Sequence, residues 1–214
     1  MNPTPPVELT VLFANDALLI INKPSGLLSV PGRGPDKQDC VIHRAQQQFP
    51  DALIVHRLDM ATSGLLLLAR GAEMQRRLSQ DFAERRVHKR YVALLQGELA
   101  RPDQDWAEVN WPVSPDWPNR PRQKIDLIAG KASLTRFRVL SHSAGQTRVE
   151  LEPVTGRTHQ LRVHMLCLGF PVVGDALYNP LCLDQDSPAP QLMLHACSLQ
   201  LPELGLQFES PPEF

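Results

Sequence analysis

The sequence contains no long apolar run and no sign of an export signal. Apolar runs such as Leu65–Ala69 are far shorter than the roughly 20 residues that a membrane-spanning helix needs. No basic residue precedes Lys23, and residues 1–8 contain three prolines, so we expect no secretory signal. These absences exclude a membrane-spanning protein and favour a cytoplasmic one.

Cysteine is scarce, and its spacing carries no metal or redox signature. The four cysteines are Cys40, Cys167, Cys182 and Cys197, and no two of them are separated by the two residues typical of zinc knuckles. Buried, reduced thiols are expected instead, as in a cytoplasmic protein. Neither a disulfide scaffold nor a zinc site is predicted.

Positive charge is absent from both ends of the chain. The formal net charge is −1, yet all 22 Lys and Arg lie between Lys23 and Arg162 with only 15 acids, a net charge of +7 for that stretch. Two basic clusters stand out: Arg76, Arg77, Arg85, Arg86, Lys89 and Arg90, and Arg120, Arg122, Lys124, Lys131, Arg136 and Arg138. A basic face is typical of proteins that bind a polyanion such as RNA. Ordinary solvated helix and loop charges are the alternative.

The hydrophobic pattern predicts an α+β domain with a mixed, mostly antiparallel sheet flanked by helices. Strands are predicted at 9–13, 17–22, 64–69, 90–99, 134–140, 147–151, 192–201 and 206–208, and helices at 39–49, 72–86 and 158–168. Asp39 is the expected N-cap of the first helix. Residues 100–130 are expected to form a surface hairpin or excursion. We expect one domain over 9–208 with flexible termini at 1–8 and 209–214.

The strongest local signal is the segment His56–Gly64, HRLDMATSG, between two apolar stretches. A carboxylate placed there costs free energy unless it is paired, which makes Asp59 a candidate functional residue. The alternative is a surface turn in which Asp59 caps neighbouring amides.

A second signal, Glu152–His164, places Thr-Gly-Arg-Thr before a predicted helix, where free amides suit a phosphate. Arg157 and His159 lie on that turn, although helix capping with exposed charges would give the same pattern. His159 and His164 are five residues apart and no acid completes a set, so no metal site is predicted. A third segment, His88–Ala93, contains Tyr91, one of only two tyrosines, which alone would read as a core aromatic.

Together these segments resemble the RluA-type RNA pseudouridine synthases. The matching pieces run in order from about Leu12 to Leu201: Asn22–Gly26, His56–Asp59, Thr62–Gly64, Lys89–Tyr91, Gly130–Ala132, Gly156–His164, Gly169–Asp175 and Leu194–Ala196. The resemblance implies the pseudouridine synthase fold with a central RNA-binding cleft. The pattern begins almost at residue 9, so no RNA-binding domain of the S4 type is expected, as in the RluA group itself.

The resemblance also implies the chemistry. Pseudouridylation detaches uracil from ribose C1′, turns it and rejoins it through C5, with no redox step, metal or cofactor. Asp59 would be the nucleophile, attacking C1′ or uracil C6, and Arg162 would lie beside it and stabilise its ionised form. Tyr91 would lie against the uracil and help to remove the C5 proton. Arg57 would fill the space of the flipped base. The remaining RNA-contacting residues would be His56, Thr62, Arg157, Thr158 and His159.

The implied substrates are specific uridines in a 23S rRNA stem-loop, the tRNA anticodon stem-loop, or both. The protein is expected to act as a monomer. Three alternatives stay open: a TruC-like enzyme that modifies only tRNA, a non-catalytic RNA-binding protein on the same fold, and a hydrolase using Asp59 and a histidine.

Overall fold

A computed structural model gives the fold of the chain and describes residues 9–182 and 191–214. The chain forms two compact units, and the first ends at Glu84 while the second begins at Arg85. No helix in the described part of the chain is long and apolar enough to cross a membrane.

The first unit is built on an antiparallel sheet. Its strands are β1 (Thr10–Ala14), β2 (Leu18–Lys23), β3 (Ala52–Ile54) and β4 (Ser63–Arg70), with β2 between β1 and β4, and β3 on β4. Residues 18–21 and 65–69 are buried almost completely, because both strands are continuous apolar runs rather than alternating ones. The turn before β2 is closed by the Asn15 side chain, which accepts hydrogen bonds from two backbone amides.

Helices α1 (Val41–Gln48) and α2 (Gly71–Ala83) complete the first unit. Both confirm predicted helices, but the predicted N-cap is wrong. The N-cap position of α1 is Cys40, and it makes no side-chain capping bond. Asp39 instead forms a bidentate ion pair with Arg44, at 2.7 and 2.6 Å, because the longer guanidinium reaches back over the first turn.

The second unit contains a larger antiparallel sheet. Its order is β12, β11, β5, β10, β9, β6: Leu206–Glu209, Leu194–Leu201, His88–Gln96, Gln146–Pro153, Thr135–Ser143 and Ala107–Val109. A separate two-stranded hairpin, β7 (Val113–Pro115) and β8 (Gln123–Ile125), occupies the stretch where the sequence predicts an excursion. We call residues 113–125 the β7–β8 hairpin.

The third helix, α3 (Gln160–Cys167), begins two residues later than predicted. His159 adopts the left-handed backbone conformation, with φ of 54°, and so cannot be a helical residue. The Gln160 side chain fixes this turn: its Oε1 accepts from Thr155 Oγ1 at 2.7 Å and from the Arg157 amide at 3.1 Å. The helix ends at Cys167 with Leu168 as its C-cap, and the next residue, Gly169, has a φ of 89° that suits a glycine.

Residues 1–8, predicted to be flexible, lie outside the described residues. At the other end, Ser210 is buried and its carbonyl accepts a hydrogen bond from His195 Nε2 at 3.0 Å. The Phe214 carbonyl accepts from Arg148, whose guanidinium also lies over the Phe214 ring. Ser210 and Phe214 therefore make specific contacts within the second unit.

Candidate active site

The Asp59 segment of the first unit is a loop clamped by a second loop, residues 23–29. Ser29 Oγ donates to the Leu58 carbonyl at 2.8 Å and accepts from the Leu58 amide at 3.1 Å. Ser25 Oγ donates to the Ala61 carbonyl at 2.7 Å, and the Gly26 amide donates to the Met60 carbonyl at 2.8 Å. These bonds all end on main-chain atoms of residues 58–61, so they fix the backbone on both sides of Asp59.

Lys23 is the centre of this clamp and is completely buried. Its Nζ donates to the carbonyls of Pro24 and Leu27, both at 2.8 Å, and of Met60 at 3.0 Å. Burial lowers the pKa of Lys23 to about 7, while the nearby charge of Asp59 acts in the opposite direction. The sequence analysis includes Lys23 in a matching motif but predicts no role for it. The available signal was a lysine that directly follows the apolar run of β2.

Within the loop that contains Asp59, the site residues predicted from the sequence occupy different environments. Asp59 is half-buried and Arg57 is exposed. His56 is engaged internally: its Nε2 accepts from the Leu67 amide at 3.0 Å, and its ring stacks on Phe82 with centroids 4.5 Å apart. Thr62 is buried, and its amide donates to the Asp59 carbonyl at 3.1 Å. Arg57 is thus open to solvent, whereas His56 and Thr62 make contacts within the unit.

In the second unit, Arg162 is held in a buried ion pair with Asp175. The guanidinium donates from Nε and Nη2 to the two carboxylate oxygens, both at 2.7 Å. Asp175 also accepts from the amides of Leu177 and Tyr178, at 3.0 and 3.1 Å. The Tyr178 ring lies 5.0 Å from Arg162 Cζ. A bidentate pair fixes the plane of the guanidinium, so Asp175 orients Arg162. Sequence reasoning quoted Asp175 in a motif and missed this function.

Tyr91 lies in β5, where it is opposite Leu151 of β10 and Ala196 of β11. Its side chain is half-buried rather than part of the closed core. A tyrosine so placed offers an apolar ring with a polar end, which is the combination needed to contact a nucleobase.

The turn before α3 presents three of the predicted RNA-contacting residues. Arg157 and Thr158 are exposed. His159 is half-buried, and its Nδ1 lies 2.7 Å from Tyr178 Oη. The Arg157 amide is already bonded to Gln160, so this turn is less open to a phosphate than the sequence predicts. His164 is fully buried, bonds to Thr135 Oγ1 and the Trp111 carbonyl, and has a pKa lowered by burial. It is a structural residue.

The second basic cluster divides into two parts. Arg138 is bonded to Glu150 at 2.5 Å and Arg136 to Glu108 at 2.9 Å. Glu150 also pairs with Arg90. The centroid of the Trp106 ring lies 5.3 Å from Arg90 Cζ and 5.0 Å from Arg138 Cζ. The cluster members that the structure exposes without such pairing are Arg120, Lys124 and Lys131. Arg136 and Arg138 are therefore partly neutralised by acids on neighbouring strands, which reduces the basic character that the sequence alone gives this cluster.

The described residues, 9–182 and 191–214, include no group of three or more His, Cys, Asp or Glu that could hold a metal ion. The groups that the sequence predicts for chemistry are the carboxylate of Asp59, the phenol of Tyr91 and the guanidinium of Arg162. A carboxylate can act as a nucleophile or a base, a phenol as a stacking surface or proton acceptor, and a guanidinium as a fixed positive charge.

Comparison with known proteins identifies close relatives. The family model described as RNA pseudouridylate synthase matches residues 17–166. A dual-specificity RNA pseudouridine synthase RluA from Yersinia pestis is 45% identical over 212 residues, which cover 96% of this chain and 100% of that protein. The protein of the same description from Escherichia coli K12 is 44% identical over 221 residues, covering 100% of this chain and 98% of its own.

Two solved structures have a similar fold. Human RNA pseudouridylate synthase domain containing 1 superposes with a TM-score of 0.80 and 30% identity, covering 100% of this chain and 87% of its own. Human RNA pseudouridylate synthase domain containing 4 gives a TM-score of 0.73 and 27% identity over 95% of this chain and 88% of its own.

Proposed function

Because the chain belongs to the RNA pseudouridylate synthase family, we propose that it isomerises uridine to pseudouridine in two RNAs, a 23S rRNA stem-loop and the tRNA anticodon stem-loop. The activity class, an isomerase acting on RNA, follows from membership. The two substrates are proposed because the relatives matched over nearly their full length are dual-specificity enzymes. The observation that carries the mechanism is Asp59 in a loop whose backbone is clamped on both sides.

Asp59 is the nucleophile of the proposed reaction. Its carboxylate adds to ribose C1′ or to uracil C6, the bond from C1′ to N1 breaks, and the base turns. A new bond from C1′ to C5 then forms, and the bond from the Asp59 carboxylate to C1′ or C6 breaks, which regenerates the free carboxylate. C5 loses its proton and N1 takes one up. No oxidant, reductant or cofactor enters the balance. A fixed loop suits this role, since a nucleophile must meet the sugar or base with little freedom.

Tyr91 and Arg162 act in the same reaction. Tyr91 contacts the uracil and assists removal of the C5 proton. Arg162, oriented by Asp175, supplies the positive charge that stabilises the ionised nucleophile. Arg57, exposed beside Asp59, fills the space that the target base leaves when it is extruded.

The RNA backbone is held by exposed basic residues. Arg120 and Lys124 of the β7–β8 hairpin, Lys131 just beyond it, and Arg157 before α3 are the proposed phosphate contacts. The protein is further proposed to act as a monomer in the cytoplasm. Its four cysteines are free thiols, but Cys40 alone among them is buried and Cys167 is exposed, so the expectation that all four are buried is wrong.

Release of tritium from RNA labelled at uracil C5 tests the proposal. Wild type should release tritium from both a 23S rRNA fragment and a tRNA transcript. Asp59→Asn should abolish release and keep the Kd for RNA within a few fold, and Asp16→Asn, an exposed acid of the same unit, is the matched control. Release from tRNA alone would overturn dual specificity. Wild-type turnover by Asp59→Asn would overturn its assignment as nucleophile, and tight binding without release would point to a non-catalytic RNA-binding protein.

A further inference from the structure

Tyr178 lies where three parts of the second unit meet. It is buried, and its ring lies over the guanidinium of Arg162 in α3. Its hydroxyl is 2.7 Å from the backbone nitrogen of Gln123, the first residue of β8, and 2.7 Å from Nδ1 of His159 in the turn before α3. One side chain thus touches the hairpin, the turn and the ion-paired arginine.

The direction of these hydrogen bonds follows from the groups involved. The Gln123 amide is only a donor, so the Tyr178 hydroxyl accepts from it. The hydroxyl proton then points to His159 Nδ1, which accepts it when the ring carries its own proton on Nε2. Both bonds are short, and together they use the donor and an acceptor position of the hydroxyl. The Tyr178 hydroxyl therefore holds β8 and the turn in one fixed relation.

The β7–β8 hairpin depends on such attachments. Its two strands pair with each other in a sheet of their own, and a two-stranded hairpin is at best marginally stable alone. Near its base, Val113 pairs with Lys131 and the Trp111 carbonyl accepts from His164 Nε2. The bond to Gln123 is at the opposite end of the strands, next to the tip that carries Arg120 and Arg122.

We infer that Tyr178 is a positioning residue that couples the RNA-holding tip of the β7–β8 hairpin to Arg162. This inference rests on the proposed function, which gives Arg162 and the hairpin their roles. The hydroxyl holds the tip through Gln123, and the ring packs on the guanidinium that Asp175 orients. RNA bound by the tip is thereby placed in a fixed register with Arg162.

Two variants separate the hydroxyl from the ring. Tyr178→Phe removes the bonds to Gln123 and His159 and keeps the ring over Arg162, whereas Tyr178→Leu removes both. Tyr178→Phe should raise the KM for tRNA about fivefold to tenfold, the loss typical of one or two hydrogen bonds, with kcat within twofold of wild type. Tyr178→Leu should also lower kcat, by about tenfold or more, because Arg162 loses its packing partner.

Thr147→Val is the matched control in the same unit. Thr147 Oγ1 also accepts from one backbone amide, that of Leu99 at 2.9 Å, and donates to another group, the Gly97 carbonyl at 2.8 Å. Its loss should lower Tm and leave KM and kcat unchanged. A Tyr178→Phe enzyme that loses only Tm, as this control does, would show a merely structural role and overturn the inference.

A double-mutant cycle locates the effect on the hairpin. In a background with Arg120→Ala and Lys124→Ala, Tyr178→Phe should raise KM by less than twofold, because the β7–β8 hairpin has lost both of its proposed phosphate contacts. The same rise in both backgrounds would overturn the coupling. If wild type releases no tritium, the proposed function fails, and the Kd for the same RNA decides the inference instead. A Kd raised by Tyr178→Phe supports it, and an unchanged Kd overturns it.

Discussion

Lys23 Nζ donates a hydrogen bond to the carbonyl oxygen of Met60, the residue that follows Asp59, at 3.0 Å. The same carbonyl accepts from the Gly26 amide at 2.8 Å. The buried side chain of Lys23 therefore holds the main chain next to the candidate nucleophile, and we predict that it positions Asp59 without touching RNA.

Replacing Lys23 by methionine should destabilise the fold and slow turnover. The change removes the hydrogen bonds from Lys23 Nζ to the carbonyls of Pro24, Leu27 and Met60. Their loss should lower the free energy of unfolding by about 2–4 kcal/mol. The rate of tritium release should fall by about tenfold or more, as misplacement of a reacting group predicts. Urea denaturation and single-turnover kinetics measure the two effects. Lys37→Met, at an exposed lysine of the same unit, should change neither.

Stability should rise with pH through the titration of Lys23. Its pKa is lowered from 10.5 to about 7 in the folded protein, so between those values the unfolded chain binds more protons than the folded one. The free energy of unfolding of wild type should therefore increase between pH 7 and 9 by about 2 kcal/mol more than that of Lys23→Met. Below pH 7 the two curves should run parallel. Equal slopes between pH 7 and 9 would contradict an altered Lys23 pKa.

Asp175→Asn should be among the most damaging single changes in the second unit. It removes the negative charge opposite a buried guanidinium, which typically costs about 3–5 kcal/mol. Turnover should also be lost, because Arg162 is no longer oriented. Asp105→Asn breaks an ion pair at 3.4 Å whose acid is largely exposed, and should cost at most about 1 kcal/mol. Urea denaturation of both variants makes the comparison.

Basic residues of the second cluster should differ in their effect on RNA binding. Lys124→Ala removes an exposed charge of the β7–β8 hairpin and should reduce the slope of log affinity against log salt by about 0.7–1. Arg136→Ala removes a charge already paired with Glu108 and should leave the slope nearly unchanged. Filter binding at several salt concentrations provides the measurement. Equal slopes for the two variants would argue against the hairpin as a phosphate-binding element.

The sequence predicts the elements well because their signals are local. Apolar runs identify β2 and β4, alternation identifies β9 and β10, and all three predicted helices of the described chain are present. Motif order also leads to the family, which the comparisons confirm.

The features that sequence missed depend on partners distant in the chain. The sequence around Lys23 does not show that its Nζ will donate a hydrogen bond to the carbonyl of Met60, which is 37 positions away in the chain. The pairing of Arg138 with Glu150 follows from the alignment of β9 and β10, which a count of charges does not include. Helix α3 starts late because the Gln160 side chain closes the preceding turn, a choice that helix propensity does not reveal.

The clamp around residues 58–61 reaches main-chain atoms of Leu58, Met60 and Ala61, while the Met60 side chain is 53% exposed. These bonds hold the backbone beside Asp59 whichever side chain stands at position 60. We expect position 60 to accept substitutions that favour a different RNA without moving the backbone beside Asp59. A library of substitutions at Met60 would therefore be a starting point for evolving new substrate preferences in this enzyme.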